Sequence, residues 1–211
     1  NPIATVVATK VLTPKKAITI TSKWELKKLG DISEIIAGQS PESQYYNENK
    51  KGLPFYQGKK DFGDIYINPP VVWTSKVTKE SVKNDILISV RAPVGAQNMA
   101  HRECCIGRGV AAFRYKKDNV FYTYTYFKLH SLMEEIKKFN DEGTVFGSIS
   151  KSDFDALEVI LPPSELIVEF EKSAKPINDK VIENCAQIRT LEKLRDTLLP
   201  KLMSGEVRVA V

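Results

Sequence analysis

Histidine is almost missing from this 211-residue chain; only His101 and His130 occur. Cysteine is scarce too: Cys104, Cys105 and Cys185 form no C-x-x-C pair. So few soft ligands, so spaced, argue against a zinc site, and the odd cysteine count argues against a disulfide framework. Ordinary reduced thiols in the cytoplasm are the expectation. No apolar run reaches the roughly eighteen residues a membrane helix needs. Residues 1–22 show no signal-peptide pattern, because Lys10, Lys15 and Lys16 follow the apolar start instead of preceding it. No P-loop, no strand–Gly-x-Gly–helix unit and no Ser/His/Asp or Cys/His arrangement stands out, so nothing argues for an enzyme. A strong charge excess is also lacking. The net charge is +5, with three Lys and no acid in residues 1–22, 20 basic and 18 acidic residues in 23–163, and eight of each in 164–211. That balance permits nucleic-acid binding without arguing for it.

What is present is a long periodic stretch at the C-terminus. From Ser164 onward, alternating steps of three and four give Ile167, Phe170, Ala174, Ile177, Val181, Asn184, Ile188, Leu191, Arg195 and Leu198, eight of them apolar. This predicts the seam of a helix packed on another helix, not one lying on a globular core. Ser164, directly after Pro162-Pro163, is the predicted N-cap, and Glu165 suits the helix dipole. At about 1.5 Å per residue the helix runs roughly 50 Å up to Leu199. That exceeds what one domain covers, so an antiparallel second copy is the expected partner. Pro176 should kink or interrupt the rod.

Residues 1–22 are β-branched with prolines at 2 and 14, and read equally as a strand pair or a loose arm. Residues 23–163 form one unit. After a polar surface loop at 42–52, short strands are predicted at 53–57, 65–67, 71–74, 86–90, 95–99 and 110–115, separated by Gly, Pro and Asn-Asp turns. Many short strands at this spacing predict a curved or barrel-like sheet. Asp118 caps a predicted helix over 120–140, followed by a helical turn at 153–157 and a strand at 158–161. The fold class is therefore mixed α/β (α+β), with a long helical region over 164–211.

Several motifs compete for chemistry. Asn68-Pro69-Pro70-Val71 resembles the Asn/Asp-Pro-Pro-aromatic loop of amino-methyltransferases, but Val71 is not aromatic, so a strand-breaking turn is the better reading. Gly107-Arg108-Gly109 is either a tight bend before a buried strand or a backbone approach to phosphate with Arg108 pairing to it. Arg91, in Arg91-Ala92-Pro93, either reads a base or holds a turn. Aromatics with interleaved lysines over 45–73 suit phosphate and base contact, and also suit a strand core beneath solvated lysines. Gln39, Tyr45, Tyr46, Lys59, Lys60, Arg91 and Arg108 are the DNA-contact candidates.

Leu194-Arg195-Asp196-Thr197-Leu198-Leu199-Pro200-Lys201-Leu202-Met203-Ser204-Gly205-Glu206 resembles the end of specificity subunits of type I restriction–modification systems. Trp24-Glu25-Leu26-Lys27-Lys28-Leu29-Gly30-Asp31 is similar to the start of their target recognition domain. Gly38-Gln39-Ser40-Pro41, Ile106-Gly107-Arg108-Gly109-Val110, Gly143-Thr144-Val145-Phe146 and Leu161-Pro162-Pro163 match family landmarks in order. The resemblance covers about residues 23–209. It implies a recognition domain that reads double-stranded DNA, and helices that form an antiparallel coiled coil spacing two such domains. It implies no catalysis here. Modification methyltransferase subunits bring S-adenosylmethionine, and restriction subunits bring ATP and Mg. A full subunit has two recognition domains and two helical regions, and this chain has one of each. It is either a half subunit pairing with itself or a piece of a longer one. A helical adaptor that binds modification subunits without reading DNA is the alternative.

Overall fold

The computed structural model describes residues 24–139 and 147–207. The expectations for residues 1–22 and for the landmark at 143–146 lie outside the described residues. The strands are β1 (Glu25–Lys28), β2 (Ser33–Ala37), β3 (Tyr46–Asn47), β4 (Leu53–Tyr56), β5 (Trp73–Thr74), β6 (Glu80–Ser81), β7 (Ile86–Ser89), β8 (Gln97–Met99), β9 (Cys104–Ile106), β10 (Val110–Tyr115) and β11 (Glu158–Leu161). The helices are α1 (Leu29–Ile32), α2 (Tyr122–Ser131), α3 (Met133–Lys138), α4 (Lys151–Ala156) and α5 (Ser164–Met203). This is the mixed α+β class expected, but the strands divide among three sheets. β1 and β11 form an antiparallel ribbon. The order β2-β10-β7-β8 makes an antiparallel sheet, and β3-β5-β4-β9-β6 makes a second, in which only β4 and β9 run parallel.

The four-stranded sheet carries the core. Its strands β7 and β10 are unbroken apolar runs, Ile86-Leu87-Ile88 and Val110-Ala111-Ala112-Phe113, because both faces are covered. Ile86, Ile88 and Phe113 pack with Leu129, Ile136, Phe154 and Ile167 on the helical side. Leu87, Val110 and Ala112 meet Tyr56, Cys104 and Ile106 on the other. Burial there pushes the Cys104 thiol up to about 12, which leaves it an inert packing group. Asp85 is fully buried at the entry to β7. Its carboxylate accepts from Arg114 Nε (2.9 Å) and Nη2 (2.7 Å), the Ser81 hydroxyl (3.0 Å) and Val82 N–H (2.9 Å). A buried charge persists only with such partners.

The structure departs from the sequence expectation at several elements. Residues 65–67 are no strand; Ile65, Tyr66 and Ile67 are buried in a loop tied by isolated bridges. Strands β6 and β9 are too short to show a period. The helix over 120–140 is divided. Asp118 caps only a 3-10 turn, through Val120 N–H (3.0 Å), and α2 ends before Leu132. There the Ser131 hydroxyl donates to the Lys128 carbonyl (2.7 Å), a side-chain competitor for the helical ladder.

The largest corrections concern α5. It spans 40 residues, about 60 Å, and continues through both Pro176 and Pro200 without interruption. Pro176 and Lys172, the residue whose carbonyl loses its donor, are both exposed, so that carbonyl is left on the solvent side. Pro163, not Ser164, occupies the N-cap, and the Ser164 hydroxyl instead accepts from Lys117 Nζ (3.0 Å). Nor does the helix stand clear of its own domain. Ile167, Glu171, Ala174 and Asn178 are buried against it, and Phe170 and Ile182 pack on the core. The Glu171 carboxylate accepts from Thr123 N–H (3.2 Å) and Tyr124 N–H (2.8 Å), the first turn of α2, which has no side-chain cap of its own. Lys175 Nζ bonds Tyr122 Oη and Asp179 (2.6 Å each), and Arg189 donates to the carbonyls of Tyr66 (2.8 Å) and Ile67 (3.2 Å).

Replacing Arg114 by Ala leaves the Asp85 carboxylate buried without its cation. This should cost about 3–5 kcal/mol of unfolding free energy, measured by urea titration.

Candidate nucleic-acid interface

The bend Ile106-Gly107-Arg108-Gly109-Val110 is a hub that draws several loops together. Gly38 N–H donates to the Val110 carbonyl (2.9 Å) and Gln39 N–H to the Ile106 carbonyl (2.9 Å). Gly107 N–H donates to the Tyr56 carbonyl (2.7 Å), Val90 N–H to the Gly109 carbonyl (3.0 Å), and Ile149 N–H to the Val90 carbonyl (3.1 Å). Arg108 N–H donates to the Ser40 hydroxyl (3.2 Å). Glycine is required by proximity: a Cβ at Gly38 would lie 2.2 Å from the Gly107 carbonyl, and one at Gly109 would lie 2.3 Å from the Gln57 carbonyl. The bend reading of Gly107-Arg108-Gly109 therefore holds for its backbone, while the Arg108 side chain is exposed.

Arg108 and Arg91 come together although 17 positions apart in sequence. Both line a cleft of about 570 Å³ together with Lys151, Val90, Ala111, Ile149 and Phe154. Arg91 is bridged to Ser148, which fixes its backbone. Lys59 and Lys60 are exposed on a 3-10 turn that starts at Gly58, beside Gly109. Asp61 holds that turn by accepting from Gln57 N–H (2.6 Å) and Gly58 N–H (3.2 Å). Gln39 is exposed, and its carbonyl accepts from the Thr78 hydroxyl. Gln39, Lys59, Lys60, Arg91 and Arg108 thus occupy loops that meet at one hub.

Tyr45 and Tyr46 lie at the edge of this hub, where Phe55 and Ser40 pack against Gly107. Tyr46 packs on Phe55 with ring centroids 4.8 Å apart and donates to the Pro41 carbonyl (2.9 Å). Tyr45 is half-buried, with Lys76 Nζ 4.8 Å from its ring centre. Sequence alone marks Ser40 only as part of the 38–41 landmark and gives no sign of Lys151, which looks like any helix-terminal lysine. Asn68 is held in the fold: its amide donates to the Phe62 carbonyl (3.0 Å) and its N–H to the Asp61 carbonyl (2.8 Å). Residues 68–70 form no regular element and follow a loop, not a strand. Among the described residues, no group of His, Cys, Asp and Glu is placed to hold a metal, and no helix is long and apolar enough to cross a membrane.

Comparison with known proteins agrees with the resemblance. The chain is 38% identical over 192 residues to the MjaX type I restriction enzyme specificity subunit of Methanocaldococcus jannaschii, covering 90% of this chain and 45% of that one. It is 26% identical over 194 residues to the HindI specificity subunit of Haemophilus influenzae, covering 87% and 42%. The crystal structure of the HsdS subunit from Thermoanaerobacter tengcongensis is similar at a TM-score of 0.64 and 34% identity, over 98% of this chain and 51% of that one. The chain spans about half the length of the relatives it matches. The type I restriction modification DNA specificity domain model matches residues 10–172, well over half of the sequence, and the chain belongs to that family.

Proposed function

We propose that this chain reads one half of a bipartite double-stranded DNA target for a type I restriction–modification complex. The observation that carries the reading is the convergence of Lys59, Lys60, Arg91 and Arg108 on loops around one glycine hub, with no ion pair to any described residue. Arginines on rigid turns suit bidentate contact to guanine O6 and N7, and lysines on the neighbouring turn suit phosphates. The chain itself is non-catalytic and binds no cofactor. Methyl transfer with S-adenosylmethionine belongs to modification subunits docked along α5, and ATP- and Mg-dependent cleavage to restriction subunits, all in the cytoplasm. Two copies joined through α5 present two identical domains to an inverted-repeat site.

Methylome sequencing of a host expressing this chain with its modification subunit tests the reading. A single split recognition sequence is expected, and methylation without sequence preference would favour the adaptor. Replacing Lys59 and Lys60 by Ala should weaken binding to all DNA sequences alike and lower the slope of log K against log salt by about 2. Replacing Arg108 by Ala should instead cost about 1–3 kcal/mol on the cognate site and relax one position of the recognised sequence.

A further inference from the structure

Val71, in Asn68-Pro69-Pro70-Val71, is 73% exposed, among the most exposed apolar side chains of the described residues. Its loop is tied at both ends. Asn68 donates its N–H to the Asp61 carbonyl (2.8 Å) and its Nδ2 to the Phe62 carbonyl (3.0 Å), and its own carbonyl accepts from Tyr56 Oη (3.1 Å). At the far end the Val72 carbonyl accepts from Phe55 N–H (2.8 Å). Between these ties Pro69 and Pro70 fix φ, and a residue preceding proline is restricted as well. Valine, branched at Cβ, is stiff about χ1. An apolar side chain is thus held out to solvent on a mount with little freedom left to lose.

The mount belongs to the cation hub. Asp61, whose carbonyl takes the Asn68 N–H, closes the turn that carries Lys59 and Lys60, and that turn starts at Gly58, against Gly109. Phe55, which bonds Val72, also packs against Gly107. We propose that Val71 is a specificity-determining residue that contacts the 5-methyl group of a thymine in the major groove, beside the phosphates met by Lys59 and Lys60. Thymine alone among the four bases offers a methyl at the groove edge, and every other base edge is read by hydrogen bonds that a valine side chain cannot make. Valine is also shorter than the Phe, Leu or Met side chains that prise base steps apart, so it suits contact with a methyl and not insertion into the stack. Lysines on phosphates set the register and carry no sequence information; an apolar neighbour tied to the same turn supplies some. The contact also takes the exposed Val71 side chain out of water.

The inference rests on the DNA reading proposed above, and a thymine-to-deoxyuridine scan separates the two. The full chain with its modification subunits is bound to the site that methylome sequencing returns, with each thymine of the half-site, on either strand, replaced in turn by deoxyuridine, which deletes only the 5-methyl. One replacement should weaken wild-type binding about fourfold, the worth of one buried methyl-sized group. Val71→Ala, which should keep the wild-type circular dichroism and melting, should no longer distinguish thymine from uracil at that position, so the two changes together cost little more than either alone. Val71→Ile should keep the distinction. A flat scan, a half-site with no A·T pair, or a penalty that survives in Val71→Ala overturns the methyl contact and leaves the DNA reading standing. So does a Val71→Ala chain that loses its modification subunits, which would make the loop a protein contact. Wild-type binding that ignores DNA sequence altogether overturns both.

Discussion

The carboxylate of Glu171 joins the long helix to the domain. Burial pushes this carboxyl up, and the N–H groups of Tyr124 and Thr123 pull it back down by bonding its charged form. Those two groups are orphan donors at the start of α2, which carries no side-chain cap. One contact therefore caps one helix and sets the rotation of another. Tyr122, Lys175 and Asp179 extend it by a turn, and Arg189 carries it to the 66–67 loop. Once that row is fixed on the domain, the row of Ile177, Ile188, Leu191 and Leu198 has to face outward. The free surface of α5 is thus a consequence of where its buried acid goes.

A second constraint shapes the side on which the exposed cations gather. Close backbone approach at Gly38 and Gly109 lets loops from distant parts of the chain share one bend. Because the sheet beneath is apolar on both faces and clamped by Asp85 and Arg114, these loops rest on a stiff platform. Exposed cations on rigid loops would lose little freedom on meeting a phosphate or a base edge, which is what the proposed reading requires of them.

Much of the domain was legible because its strands announce themselves. The runs at Ile86-Leu87-Ile88 and Val110-Ala111-Ala112-Phe113 could only be covered strands, and the strand at 158–161 and the helix beginning at Ser164 appear where expected. Cys104-Cys105-Ile106 and Glu80-Ser81 escaped, since two or three residues hold no period. The apolar text at 65–67 misled, because a buried loop and a short strand look alike when burial alone selects the residues. Among the site candidates, Arg91 and Arg108 could be named from their turns, but nothing in their spacing says that they share a cleft. Lys151 gave no signal at all, because a surface lysine acquires meaning only from its neighbours.

The helix shows the division most clearly. By itself the sequence determined that a long helix starts at Ser164 and runs at least to Leu199, that apolar residues recur along it, and that Asn184 and Arg195 interrupt them. These follow from side-chain chemistry and a fixed rise per residue. Only the tertiary structure decided which body covers which row. A helical period is satisfied equally by a domain or by a second helix, and the choice was made by Glu171 at the start of α2, a contact between residues 47 and 48 positions apart.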